Sequence, residues 1–397
     1  MATGHGRKTT IDEQCRSDDQ VSPLPTAAVP SGSGFTRRTS SPDPQDRGDL
    51  RQDGFHPDAA YRHTTTHATP CPELPRMTVA NSLTQPSPFR HEALLYASQD
   101  QYLQATTSFI QDGLDHGEDV LVAVPSSNLR RLRSAFTDNS ASLTFVPMEV
   151  VGRNPARIIP ALLAMARESA NAGRGFRLVG EPIWPERTYD EIFECARHEV
   201  LANLAFEDVM NVKALCPYDV STLDESIIND AYRSHPNINL AGQATANGRY
   251  EPRIAPSMNT PLSPIPPHAE KRSFTLDDLH SIRRWVTNAA LEAGVPSGTS
   301  DDLAVAVCEA TTNSVVHGGG SGHIALWQEG SRIVCDIRDQ GTIDDPLAGR
   351  RRPPIDGAGG RGLWLMQQFC DLVQIRALPD GQAVRLQLQP PGADHNE

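Results

Sequence analysis

Apolar runs alternate with helical patterns between residues 89 and 235. In the helical segments, apolar residues recur every three to four positions, and the runs between them are apolar without interruption. Unbroken apolar strands that alternate with helices are typical of a parallel sheet covered on both faces. We therefore predict a parallel α/β domain in this N-terminal block. Its strands are predicted at 94–96, 120–124, 143–146, 176–179 and 209–215.

A second folded block is predicted at residues 273–389. A helix is expected from about 276 to 292, because Thr275 and Asp278 form a capping-box pattern before an apolar stripe. A second helix follows Ser300, and a third covers 363–369. Strand patterns at 322–328, 332–338, 372–377 and 383–388 complete the block. We predict an α/β sandwich in which helices cover one face of a single mixed sheet.

The segments outside these blocks are poor in aliphatic residues. Residues 1–88 are rich in Pro, Ser, Thr, Gly, Asp and Arg, which predicts disorder because too little apolar surface is available to offset the ordering entropy. Residues 236–272 carry six prolines from Pro252 to Pro267 and are predicted to form a linker. Residues 390–397 are a short tail.

Charge and hydropathy exclude several classes of function. The formal net charge is −13, which argues against nucleic acid or an anionic membrane surface as the main partner. No apolar run approaches the roughly 18 residues needed to cross a bilayer. The N-terminal MATGHGRKTTIDEQ has no apolar core, so it does not resemble a signal peptide. We expect a cytoplasmic protein.

Candidate chemistry first appears on the helix after Ser300. Glu309 and Asn313 are four residues apart, so they project along one edge of the helix. An amide oxygen can bind Mg²⁺ that rides on substrate phosphates, and a carboxylate can deprotonate a nucleophile. On its own, this pair is more typical of a solvated helix edge.

Two further motifs follow it. Asp339-Gln340-Gly341 ends a strand, where a carboxylate can accept a hydrogen bond from an exocyclic amine. Residues 342–358, called the lid loop below, form a long connection of the kind that usually acts as a functional lid, and they contain Arg350-Arg351-Arg352. These arginines suit polyphosphate or are simply solvated. The glycine-rich 357–362 then opens a helix whose N-terminus favours phosphate.

Taken in this order, E-A-x-x-N-x-x-x-H-G, D-x-G and G-G-R-G-L resemble the three nucleotide-binding boxes of the GHKL, or Bergerat-fold, ATPases. The closest likeness is to anti-sigma-factor serine kinases, and it spans essentially all of 273–389. The resemblance implies that Glu309 is the catalytic base toward a partner serine, that Asn313 binds Mg²⁺, and that Asp339 contacts adenine. Further contacts to ATP are implied for Gly341, Gly359, Gly360, Arg361, Gly362 and Leu363, although Gly360 and Arg361 either touch the nucleotide or only shape the loop.

The resemblance also implies partners. An anti-sigma kinase phosphorylates or sequesters an anti-anti-sigma protein or a sigma factor, and it is commonly a homodimer. A non-catalytic partner-switching module is the alternative. A sensor histidine kinase is the least favoured, because a Pro-rich linker precedes the block in place of an acceptor helix, and His280 and His317 are poorly placed as acceptors.

The N-terminal block carries looser motifs, namely His91 with Tyr96, Gly113-Leu114 with Gly117-Glu118, Gly180-Glu181-Pro182 with Trp184, and Cys216-Pro217-Tyr218-Asp219. They resemble the MEDS domain, a sensory module related in shape to RecA-type ATPases. The resemblance implies that residues 89–235 receive a small-molecule signal. No G-x-x-x-x-G-K-[S/T] loop is present, so a nucleotide is not expected in this block.

Three residue patterns in this block have competing interpretations. His91 is a candidate ligand contact, although a single histidine at a strand start is more often a satisfied polar residue. Cys195 and His198 are three apart on a predicted helix and could share a metal, but no further ligand stands at a recognisable spacing. Trp184 lies between Pro182 and Pro185 and is more typical of packing than of ligand binding.

Overall fold

A computed structural model describes residues 87–136, 141–240, 242–252, 258–354 and 360–390. The predicted disorder of 1–88 and the predicted tail fall almost entirely outside these ranges. Both folded blocks belong to one compact unit. Among the described residues, no helix combines the length and the apolar character needed to span a membrane.

The N-terminal block contains a seven-stranded sheet in the order β3-β2-β4-β5-β1-β6-β7. The first six strands run parallel, and β7 pairs antiparallel with β6 at the edge. This confirms the predicted parallel α/β fold. The strands are β1 (Arg90–Tyr96), β2 (Asp119–Val124), β3 (Leu143–Pro147), β4 (Phe176–Gly180), β5 (Val212–Asp219), β6 (Asn237–Leu240) and β7 (Gln243–Ala246).

Helices cover both faces of this sheet, and separate apolar clusters lie beneath them. The helices are α1 (Gln99–Asp115), α2 (Ser126–Ala135), α3 (Met148–Val151), α4 (Ile158–Asn171), α5 (Tyr189–Ala205) and α6 (Glu225–Ser234), with a 3₁₀ turn at Pro155–Arg157. Thr188 and Glu191 form a capping box at the start of α5, which fixes where this helix leaves the preceding loop.

The predicted linker at 236–272 is wrong at both ends, because two strands follow residue 236 and another strand, which the sequence patterns did not predict, begins at Glu270. Strand β6 pairs with Glu92–Leu95 of β1, and β7 pairs with β6, so the sheet continues past residue 235. Both strands have only four residues, and β6 alternates asparagine with aliphatic residues, which is a weak strand signal. The Asn239 amide donates to the buried Glu92 carboxylate at 3.0 Å, so polar side chains stabilise the pairing.

The C-terminal block is a five-stranded sheet in the order β11-β12-β10-β9-β8. Every neighbouring pair is antiparallel, so the prediction of a mixed sheet is wrong. Tight hairpins at Gly330 and Gly381 join β9 to β10 and β11 to β12, and such short connections can only make antiparallel neighbours. The strands are β8 (Glu270–Thr275), β9 (Ser321–Glu329), β10 (Arg332–Asp339), β11 (Leu372–Leu378) and β12 (Gly381–Leu388).

Three helices pack on one face of this sheet, as predicted for an α/β sandwich. They are α7 (Leu279–Glu292), α8 (Ser297–His317) and α9 (Arg361–Phe369). The predicted cap before α7 is present, because the Asp278 carboxylate accepts hydrogen bonds from the backbone N–H and the hydroxyl of Thr275 at 3.0 and 2.9 Å. The other face of the sheet is partly covered by Ile265 and Ala269 from the end of the predicted linker.

Candidate functional site

Helix α8 and the first turn of α9 meet at the predicted phosphate end of the site. Glu309 and Asn313 lie one turn apart on α8, and both are half-buried. A Cβ atom at Gly362 would lie 2.7 Å from Glu309 Oε2 and 3.2 Å from Asn313 Nδ2. Because glycine has no side chain, the α9 backbone comes directly against the carboxylate and the amide. The predicted catalytic base and the predicted Mg²⁺ ligand therefore share one wall with the glycine-rich turn.

Asp339, at the end of β10, is held in one orientation. The Ser314 hydroxyl on α8 donates to Asp339 Oδ2 at 2.7 Å, and the Gly341 N–H donates to Oδ1 at 2.7 Å. The Gln382 amide donates to Oδ1 at 3.2 Å. The same amide also reaches Oδ2 at 3.4 Å. Each carboxylate oxygen accepts about two hydrogen bonds, so a further donor to Oδ2, such as an exocyclic amine, would replace this longer contact. The sequence motifs did not identify Ser314 and Gln382 as partners of Asp339.

Two glycines allow this carboxylate to lie against the end of α8. A Cβ atom at Gly318 would lie 2.5 Å from Asp339 Cγ, and one at Gly341 would lie 3.2 Å from Gly318 Cα. The Gln340 N–H donates to Gly318 O at 3.1 Å and closes the contact. Gly318, the last residue of the E-A-x-x-N-x-x-x-H-G motif, is therefore needed so that Asp339 can approach the end of α8.

The remaining residues that were predicted to contact ATP lie at the start of α9. Gly360 is the N-cap, with φ 83°, a left-handed conformation that favours glycine. Arg361, the first helical residue, is exposed, and Leu363 packs against the apolar core of the block. Gly359 lies outside the described residues.

These residues fit a magnesium–nucleotide complex. Asn313 offers an amide oxygen to Mg²⁺, the N-terminus of α9 favours phosphate charge beside Gly362, and Asp339 offers an acceptor to an amine. The carboxylate of Glu309 adds a proton acceptor at the phosphate end.

Two family models match the chain. The model described as the MEthanogen/methylotroph, DcmR Sensory domain, or MEDS, matches residues 90–236. The model described as the Histidine kinase-like ATPase domain matches residues 273–388. The chain joins a MEDS domain to a histidine kinase-like ATPase domain. This combination makes it an ATPase-type signalling regulator, and ATP is the nucleotide that the second domain implies. No curated protein matches the chain.

The MEDS domain caps the C-terminus of α9, the helix whose other end faces the predicted ATP site. The Asn154 amide donates to Gln367 O at 3.0 Å and to Cys370 O at 3.1 Å. Arg157 donates to the same two carbonyls at 2.8 and 2.9 Å. The last carbonyls of a helix have no partner within the helix and carry partial negative charge, so an amide and a guanidinium suit them.

The lid loop is also seated on the MEDS domain. Leu347 is only 1% exposed and belongs to the apolar cluster that otherwise consists of MEDS residues such as Ile158 and Ile159. Arg350 donates to Glu194 of α5 at 3.1 Å, and both side chains are buried. Arg350 is therefore buried and bound to a carboxylate, so neither of the two interpretations of 350–352, polyphosphate binding or solvation, holds for this residue. Arg351 and Arg352 are exposed.

Glu194 is the centre of a buried charge cluster between the two domains. Arg376 of β11 donates to it at 2.7 Å, and Arg197 lies at 3.4 Å. Burial favours the protonated form of Glu194, but Arg197, Arg376 and Arg350 outweigh it and lower the pKa of this carboxyl. Burial lowers the pKa of Arg350 to about 10, which leaves the guanidinium charged at neutral pH.

The predicted Cys195–His198 pair does not form a joint site. The Cys195 thiol donates to Pro182 O at 3.2 Å. Trp184 packs under the Arg187 guanidinium, 4.0 Å from the ring centre, as expected for a packing residue.

His91 is 2% exposed and reaches Glu199 and Cys216, and it lines a cavity of about 160 Å³ with mostly apolar walls. Cys216 lies 125 positions from His91, so no local spacing could reveal this contact.

Proposed function

We propose that this protein is an ATP-dependent protein-serine kinase of the anti-sigma-factor type, and that its MEDS domain controls it. The observation that carries the proposal is the position of Glu309 beside Asn313 and the Gly362 backbone. A domain that only binds a nucleotide has no need of a carboxylate at this point. A domain that transfers phosphate uses it to accept the proton of the acceptor hydroxyl.

In this proposal each residue has one task. Glu309 accepts the hydroxyl proton of a partner serine. The serine oxygen bonds to the γ-phosphorus, and the bond between the γ-phosphorus and the oxygen of the leaving ADP breaks. Asn313 holds Mg²⁺, which neutralises phosphate charge when it is bound. Asp339 selects the adenine by accepting from its amine, and Ser314 keeps the carboxylate turned toward it. The added phosphate charge then releases an anti-anti-sigma or sigma-factor partner from a packed interface.

The contacts of the MEDS domain support control from that side. Asn154 and Arg157 hold the far end of α9, and Leu347 and Glu194 hold the lid loop. A signal that shifts the MEDS domain would therefore move both the helix that faces the phosphates and the loop beside it.

A non-catalytic partner-switching protein is the second candidate. It is favoured by the burial of Arg350 against Glu194, because this contact removes one cation that a phosphate lid would use. A sensor histidine kinase has less support, because among the described residues no helix lies between β7 and β8, where an acceptor helix would stand.

The test measures binding and transfer separately on the full chain. ATP titrations in Mg²⁺ compare the wild type with Asn313→Ala and Glu309→Ala. Transfer is then measured with γ-labelled ATP and a lysate of the source cells as the phosphate acceptor. We expect Asn313→Ala to lose ATP binding, and Glu309→Ala to keep binding and lose acid-stable phosphoserine on a lysate protein.

Each other outcome favours a different account. Wild-type binding with no transfer to any protein supports the non-catalytic switch. Acid-labile phosphate on a histidine supports the histidine kinase. Transfer by Glu309→Ala at the wild-type rate contradicts the role of Glu309.

A further inference from the structure

Four buried side chains of the MEDS domain converge on one point. They are His91 of β1, Glu199 of α5, Cys216 of β5 and His235, which follows α6. None is more than 3% exposed. One ligand atom from each lies within 4.8 Å of all the others. The ATP site does not use any of these residues, and no sequence spacing links them.

The contacts of His91 and His235 determine which ring nitrogen faces the centre. His235 Nδ1 lies 2.9 Å from Ala231 O, and a carbonyl oxygen only accepts, so Nδ1 carries the proton. His91 Nδ1 lies 3.0 Å from Asn203 Oδ1. The Asn203 amide nitrogen donates to Glu199 O and Ser234 O, which fixes its oxygen toward His91. When the imidazoles are neutral, both Nε2 atoms present lone pairs to the centre of the cluster.

This arrangement is the one that metal-binding histidines adopt. A ligating histidine almost always donates its other N–H to a carbonyl or another acceptor, which fixes the tautomer and the ring orientation. Asn203 and Ala231 supply these acceptors here.

Four distances between the ligand atoms are close to those around a tetrahedral ion, and every pair lies within 4.8 Å. Bonds of about 2.0–2.3 Å to nitrogen, oxygen and sulfur place neighbouring ligand atoms roughly 3.3–3.8 Å apart around Zn²⁺. His91 Nε2 lies 3.1 Å from Glu199 Oε2 and 3.3 Å from Cys216 Sγ. Glu199 Oε2 lies 3.5 Å from His235 Nε2 and 3.6 Å from Cys216 Sγ.

Two polar atoms of the cluster lack hydrogen bonds among the described residues. They are His235 Nε2 and Glu199 Oε1, and both are buried. An unpaired buried polar atom is costly. His235 Nε2 lies 3.5 Å from Glu199 Oε2, and a positive charge between these two acceptors would stabilise both. A divalent ion would supply this charge, and a thiolate and a carboxylate would balance it.

We propose that the MEDS domain binds one Zn²⁺ ion through His91 Nε2, Glu199, Cys216 Sγ and His235 Nε2. Binding releases the Cys216 thiol proton to solvent, because the thiolate is the ligand. Four protein ligands make a closed site, which is typical of structural zinc. The ion joins β1, β5, α5 and the segment after α6, and α5 also carries Glu194, which holds the lid loop.

The experiment uses the full chain without a histidine tag. Metal content is measured by mass spectrometry after purification without chelators and after reconstitution with Zn²⁺. The same protein is stripped and loaded with Co²⁺, whose thiolate charge-transfer absorption reports a sulfur ligand. We expect about one metal ion per chain and a thiolate–cobalt band in the wild type. Cys216→Ser should lose the band, and His235→Ala should bind metal at least tenfold more weakly.

Cys195→Ser and His198→Ala are matched controls, because both residues are buried on α5 and neither belongs to the cluster. They should keep both the metal and the band. The proposal is overturned if the reconstituted wild type holds no stoichiometric metal. In that case a proton on one imidazole, and not a metal ion, supplies the positive charge at the centre of the cluster. A cobalt band that survives in Cys216→Ser, or is absent in the wild type, overturns the ligand set.

Discussion

Glu194 of the MEDS domain and Arg350 of the ATPase domain form a buried ion pair at 3.1 Å. The two residues are 156 positions apart, and the contact attaches the lid loop of one domain to helix α5 of the other. Breaking a buried ion pair costs more than breaking an exposed one, because the remaining charge loses a partner that water cannot replace.

We expect Arg350→Met to loosen the lid loop. Arg376 and Arg197 still compensate Glu194, so the loss in the free energy of unfolding should be about 1–3 kcal/mol, less than for a buried pair with no other partner. Cleavage by trypsin after Arg351 should become faster. Chemical denaturation and limited proteolysis measure the two effects. Arg352→Met, at an exposed neighbour, should change neither, and equal behaviour of the two variants would contradict the role of the pair.

Gly362→Ala should block the ATP site without unfolding the protein. The new Cβ would lie 2.7 Å from Glu309 Oε2, so either α9 or the carboxylate must move. We expect at least a tenfold loss in ATP affinity, about 1.4 kcal/mol or more, in a calorimetric titration.

Gly298→Ala is the matched control. It lies in the first turn of α8, and an added Cβ there meets nothing within 4 Å. The control should bind ATP normally and gain up to about 1 kcal/mol in stability, since alanine favours the helix. Normal ATP binding by Gly362→Ala would mean that α9 does not wall the nucleotide site.

Asn154→Ala should weaken the attachment of α9. The variant leaves the carbonyls of Gln367 and Cys370 with fewer donors in a buried interface. We expect a loss of about 2–3 kcal/mol in the free energy of unfolding. Weaker ATP binding should accompany it, because the opposite end of α9 faces the proposed ATP site. Denaturant unfolding and ATP titration check both, and Asn171→Ala, at the exposed end of α4, should change stability by less than about 0.5 kcal/mol.

Glu181 makes the stability of the MEDS domain depend on pH. Burial raises the pKa of this carboxyl to about 8, although hydrogen bonds from Asn128 and Tyr102 oppose the shift. Between about pH 4.5 and pH 8 the unfolded chain has lost this proton and the folded chain keeps it, so the free energy of unfolding falls as pH rises.

Glu181→Gln removes this dependence, because an amide does not ionise. Relative to the wild type, the variant should gain stability steadily from pH 5 to pH 8, whatever its stability at pH 5. Thermal unfolding across that range measures the gain. Parallel curves for the two proteins would show that Glu181 titrates near its ordinary value in the folded state.

Local features of the chain could be predicted from the sequence for a physical reason. The spacing of Glu309 and Asn313 places them on one helix edge, and the Thr275–Asp278 cap depends only on residues three apart. The alternation of apolar runs with helical patterns predicted the parallel sheet of the MEDS domain. A strand that is buried on both faces is apolar at successive positions, and this pattern can be read directly from the sequence. The resemblance of the three boxes also identified the ATPase domain before any contact was known.

Only the tertiary structure decided which distant residues meet. Strands β6 and β7 extend the sheet through backbone pairing that their short polar sequences do not signal. The partners of Arg350, the capping of α9 by Asn154, and the meeting of His91 with Glu199, Cys216 and His235 depend on the packing of elements more than 100 residues apart in the chain. The sequence determined each side chain's chemistry, and the fold determined which charge or lone pair each one faces.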